Sequence, residues 1–162
     1  ISTKGVKLAL FDVSDVDNPK QIDKYEIGIR GTDSEALREH KAFLFDKEKN
    51  ILVIPIREVK GEKYRDPKYG YYRQKVWQGA YVLGLTPEDG FELKGKVSHF
   101  EDDEDYRYYW GSPYAVRRSL YMDDVLYTVS AKRVVMNDLD DIDDEINSVK
   151  LPFDSDRYYY YY

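Results

Sequence analysis

Apolar residues recur along this chain in short runs separated by turns rich in Asp, Asn, Gly and Pro, which is the patterning of β-strands. One arrangement is written three times: an apolar strand, a polar Asp-rich turn, then a second strand, at 8–27, 80–97 and 134–151. Between the copies lie two hairpins of a second kind. In one, 41–45 and 51–56 flank the turn 46–50; in the other, 119–122 and 125–130 flank the tight link Asp123-Asp124. Strands are therefore expected near 6–13, 20–27, 41–45, 51–56, 79–85, 91–98, 118–122, 125–130, 132–137 and 144–150, each antiparallel to its sequence neighbour. The continuously apolar run 51–56 predicts a strand buried on both faces, and Pro55 predicts that its end is unpaired or bulged.

One hairpin of each kind in succession makes a four-stranded antiparallel unit, and such units in series are the blades of an all-β propeller. The order is a half blade at 6–27, a blade at 41–99 carrying an insertion at 58–78, a blade at 118–151, and a Tyr-rich tail or edge strand at 152–162. Leu85 to Leu139 spans 54 positions and Val13 to Leu85 spans 72, and the excess sits in the insertion. A β-sandwich would also give short strands, but it does not explain two hairpin types recurring in fixed order. Because a ring needs roughly four to eight blades, the chain is expected to be a partial propeller, part of a larger one.

Composition narrows the picture. The 162 residues suffice for a domain with its own core, and 17 Tyr with 6 Phe and 2 Trp suit pleated surfaces. A net charge of −6 argues against a nucleic-acid partner. High Lys and Glu without any Cys is the composition of heat-adapted proteins, and it removes disulfide and thiolate chemistry while leaving the compartment open. No apolar run approaches the roughly 20 residues of a membrane span. A chain that begins at Ile1 reads as a processed product or a fragment, which leaves export open.

Several stretches resemble an archaeal and bacterial family, the secreted C-terminal β-propeller domain, itself distantly related to WD repeats. They are Phe11-Asp-Val-Ser-Asp15 with Asn18-Pro19, Gly31-Thr-Asp-Ser-Glu-Ala36, His40-Lys-Ala-Phe-Leu-Phe-Asp46, Gly79-Ala-Tyr-Val82 and Glu88-Asp-Gly-Phe-Glu-Leu93. Arg117-Arg-Ser-Leu-Tyr121, Val125-Leu-Tyr-Thr-Val-Ser130 and Asn137-Asp-Leu139 continue the likeness, which covers most of 6–151 and fails at 58–78 and 152–162. The resemblance implies a propeller longer than this chain, placed at the cell exterior, with no established catalytic activity.

Candidate chemistry concentrates in the longest linker, 30–40, where Arg30, Asp33, Ser34, Glu35 and His40 crowd together, and Thr32 with Glu35 has capping-box spacing. Arg117-Arg118 precedes a strand at the point where His40-Lys41 precedes its counterpart, so both basic pairs should share one rim, as an anion site or as rim ion pairs with nearby acids. With only His40 and His99 in the chain, a zinc site is not expected. The Asp-rich loops 12–17 and 138–145 could take calcium, but they lack the Gly turn and terminal Glu of a calcium loop, and turn chemistry explains them better. The insertion interleaves cations with aromatic residues and predicts a projecting hairpin with its tip at 65–70, matched against the acidic run 101–105. The tail ends in five consecutive Tyr, which cannot all face one side of a strand.

The function expected is non-catalytic binding or scaffolding by a secreted or cell-surface prokaryotic protein. The binding residues would be Arg30, Asp33, Glu35, His40, Arg117 and Arg118, with no catalytic residue, resident metal or cofactor. Its partner would be a protein or complementary blades, by oligomerisation or from missing blades, without nucleic acid or a membrane span. The competing reading is a hydrolase using a divalent metal, calcium among them, on Asp33, Glu35 and His40 in the propeller channel.

Overall fold

The computed structural model describes residues 4–66, 70–100 and 112–153. They contain three sheets, two single-turn 3-10 helices and, among the described residues, no α-helix. Strands β1 (Lys4–Asp12) and β2 (Lys20–Ile29) form a two-stranded sheet. Strands β3 (Leu44–Asp46), β4 (Ile51–Arg65), β5 (Tyr72–Thr86) and β6 (Gly90–Val97) form the second sheet, in sequence order. Strands β7 (Arg118–Met122), β8 (Val125–Val129), β9 (Arg133–Asp138) and β10 (Glu145–Lys150) form the third. Each strand pairs antiparallel with a sequence neighbour, so the fold is the all-β partial propeller that the repeats predict.

The second sheet is packed on both faces, which is why 51–56 is apolar without a break. Leu52, Ile54 and Ile56 meet Val6 and Ile27 of the first sheet, with Tyr81 and Leu83 beside them. Ile51, Val53, Ala80 and Val82 meet Leu126 and Val135 of the third. Alternation along a strand thus feeds two cores at once.

Strand β4 does not stop at 56. It runs on to Arg65 and pairs with β5 from Tyr72, so the insertion is one extended hairpin with a register shift between Val59 and Lys63. Pro55 is tolerated because β3 pairs only with 51–53, and the position of its missing N–H lies beyond β3. The Pro55 carbonyl accepts a 2.6 Å hydrogen bond from Ser34 Oγ instead. Over its described residues the insertion forms the hairpin expected of it. Part of its tip (67–69), the acidic run 101–105 and the Tyr run 158–162 lie outside the described residues.

Each sheet carries a bulge at the same place in its repeat. Leu10/Phe11, Val82/Leu83 and Met136/Asn137 are equivalent pairs, and opposite each pair the partner strand carries one extra residue: Ile22, Lys94 and Ile146. Because strands alternate in direction, the loops fall at two ends. Loop 30–43, the tip of the β4–β5 hairpin and the link 130–132 share one end, and the Asp-rich turns share the other.

Candidate functional site

Loop 30–43 is fastened to β4 before any of its charges act. Thr32 Oγ1 accepts the Val59 N–H at 2.9 Å, and Asp33 exchanges two backbone hydrogen bonds with Arg57 at 2.9 and 3.0 Å. The expected cap at Thr32 therefore moves to Ser34, whose buried Oγ accepts from Ala36 N and opens the turn Glu35–Leu37. Thr32 is diverted because β4 presents it with an unpaired amide. A second turn, His40–Ala42, is capped by Glu39 through the Lys41 N–H.

These turns aim Glu35 at the third sheet. Arg117 Nη1 donates to Glu35 Oε2 at 2.7 Å and Arg118 Nη1 to Glu35 Oε1 at 3.5 Å, while Arg118 Nη2 lies 3.7 Å from Glu39 Oε2. Asp33 is held by both terminal nitrogens of the Arg38 guanidinium, which raises the Arg38 pKa further. Burial pulls the Arg57 pKa down, with Asp33 opposing the shift, and Arg57 Nη1 donates to Gly31 O at 3.1 Å. Glu39 is held below the usual carboxylate range by the Lys41 N–H first, and then by Arg118.

Of the residues expected here, the fold pairs Glu35 with Arg117 and Arg118 across the junction of the second and third sheets, while Asp33 pairs with Arg38 inside the loop and shares a crevice with Glu35 and Arg117. Arg30 is exposed, and His40 points into solvent with its side chain 89 % exposed, 3.6 Å from Glu39. Arg38, Glu39, Arg57 and Gln78 complete the cluster and were not singled out from sequence. A crevice of about 20 Å³ lies between Asp33, Glu35, Pro55, Arg57, Gln78 and Arg117. That is room for about one water, and the buried Gln78 Oε1 beside it has no hydrogen-bond partner.

The hairpin is anchored at its base. Glu58 accepts from Tyr81 Oη at 2.8 Å and pairs with Lys96 at 3.1 Å, and the Lys96 ammonium lies over the Tyr81 and Trp77 rings. Burial, and then the bond to Glu58, drive the Tyr81 phenol pKa strongly upward. Farther out, Lys75 pairs with Glu62 at 2.8 Å and Arg73 with Asp66 at 2.9 Å, so insertion cations meet acids of the insertion itself.

A protein of Methanocaldococcus jannaschii, described as uncharacterized, is 29 % identical over 125 residues, which cover 77 % of this chain. The match spans only 14 % of that protein's length. No solved structure matches. A family model, the β-propeller domain, matches residues 1–142, which take in strands β1 to β9 of the recurring sheets described above. With two hairpin types, one bulge position and one mode of sheet packing repeated along it, the chain belongs to the β-propeller domain family.

Proposed function

We propose that the chain is a non-catalytic binding or scaffolding module of a secreted or cell-surface prokaryotic protein, working through the end that carries loop 30–43 and the β4–β5 hairpin. The observation that carries this reading is the pairing of Glu35 with Arg117 and Arg118 and of Asp33 with Arg38. The Glu35 pairs fasten the loop to the third sheet and the Asp33 pair braces the loop internally, which holds rigid the platform that carries the hairpin, with Tyr71 and Tyr72 exposed near its tip. Rigid scaffolds bearing exposed loops are the common design of binding modules. The exterior location rests on the family resemblance. The partner is a protein, or further blades that complete the ring.

Calorimetric titration with calcium, magnesium and manganese tests the reading against a metal-dependent hydrolase. The expected result is no stoichiometric heat, together with a Tm lower by about 2–4 °C for each kcal/mol lost in Glu35→Gln. Stoichiometric metal binding that disappears in Asp33→Asn and Glu35→Gln would overturn it.

A further inference from the structure

The platform end of the third sheet holds a cleft unrelated to the ion pairs of loop 30–43. It encloses about 360 Å³ and is lined by Tyr114, Lys132, Arg133, Lys150, Leu151 and Phe153. That volume is at the lower end for small-molecule sites. Three of the six lining residues are cations and two are aromatic.

The cations are brought together by backbone pairing. Arg133 and Lys150 are register partners on β9 and β10, so both side chains leave the sheet on the same face. Like charges directly opposite each other on a sheet are destabilising. The Leu151 N–H donates to Lys132 O at 2.7 Å and pins the end of β10 beside Lys132. Glu145 lies 3.6 Å from Arg133 and sits on the far side of the β10 bulge. Ser130 and Arg133 close the preceding turn through reciprocal bonds of 3.1 and 3.2 Å, which fixes where Lys132 starts.

The aromatic residues orient the third cation. The Lys132 ammonium lies 4.5 Å from the Tyr114 ring centroid and 5.2 Å from that of Phe153, and donates to Tyr114 Oη at 3.3 Å. Tyr114 is backed by Phe100, with ring centroids 5.5 Å apart. A lysine held between two rings has lost the freedom that makes surface lysines poor ligands, and the rings add flat apolar walls.

We infer that this cleft binds a small ring-shaped organic anion, its carboxylate or phosphate held by Lys132, Arg133 and Lys150 and its ring against Tyr114 and Phe153. An acidic sugar and an aromatic carboxylate present the same chemistry. The site goes beyond the binding-module reading and shares no residue with loop 30–43, so its failure would leave that reading standing.

Ligand-observed NMR and calorimetry on the full chain test it, with glucuronate, benzoate and phenyl phosphate as probes and benzyl alcohol and glucose as neutral counterparts. At least one anion should bind with a millimolar or tighter Kd and weaken as salt rises, and which of glucuronate or benzoate binds tells sugar from aromatic. Lys132→Gln and the exposed Lys150→Gln should each weaken that binding about tenfold or more, while Lys24→Gln on the first sheet leaves it unchanged. Lys150→Gln keeps the test sound if Lys132→Gln unfolds. Binding of no anion, equal binding of a neutral counterpart, or unchanged affinity in both cleft variants would overturn the inference.

Discussion

His99 shows how one buried residue can make this fold sensitive to acid. Its side chain is fully buried at the junction of the second and third sheets, and Nε2 is 2.8 Å from Thr128 Oγ1, also buried. Burial first, and then the charge of Arg133, lower its pKa to about 3. In the unfolded chain the ring titrates near its ordinary value of about 6.5. Because the folded pKa is depressed, the unfolded state takes up the proton first, and stability is full above pH 6.5 and falls as pH drops toward 3. Each pH unit in that window costs about 1.4 kcal/mol, so roughly 2 kcal/mol is lost between pH 6.5 and 5. Urea unfolding at pH 7 and pH 5 checks this: the drop should be larger in the native chain than in His99→Gln, and equal drops would clear His99 of the role. Single residues were the least legible part of the sequence. Arg57 and Gln78 enter the loop cluster only through tertiary contact, and the capping box at Thr32 failed because the Val59 amide competes for its hydroxyl.

Elements were far more legible, because strands and tight links are local. Asp123 sits at φ 52°, in the left-handed region that a tight Asp-Asp link favours, and the hairpin there forms as expected. What the local pattern missed was register. The extension of β4 to Arg65 follows the expected hairpin, but the bulge places chemically dissimilar extra residues, Ile22, Lys94 and Ile146, at one position of the repeat, which no composition rule connects. Neighbouring outer strands are also joined by a device of this kind. Gly90 has φ 74°, and a Cβ there would lie 2.3 Å from Asp23 Oδ2, which accepts the Phe91 N–H at 2.9 Å. Gly90→Ala should therefore lower stability by about 2 kcal/mol or more, part backbone strain and part lost bond between the first and second sheets. In Asp23→Ala the same change should cost less, since the clash with the carboxylate is gone and only the 2.8 Å approach to the Cβ of residue 23 remains. A thermal-melt double-mutant cycle reads the difference, and strict additivity would refute the proposed contact.

At the scale of the whole molecule, one face of the third sheet stands where the other sheets have a neighbour. Leu8 and Val6 dock the first sheet onto the second, and Ile51, Val53, Ala80 and Val82 dock the second onto the third. The equivalent positions of the third sheet are Val125, Tyr127, Val134 and Met136, with Leu120 opposite Tyr127 and Met122 opposite Val125. Leu120 is 43 % exposed and Met122 54 %. A pattern repeated twice to bury a sheet, and a third time with no sheet over it among the described residues, is a surface shaped for another blade. The same repetition makes the half-formed first sheet and the open third face two aspects of one architecture. As an expected outcome, the 19.2 kDa chain should give a larger mass by light scattering at micromolar concentration, with this face covered by a second copy. Leu120→Lys combined with Met136→Lys should return it to the single-chain mass with its β-sheet circular dichroism intact, because neither side chain contributes to the two cores between sheets. A native chain that stays at 19.2 kDa without aggregating would show that the face tolerates water, and that the repeat pattern alone does not make it an interface.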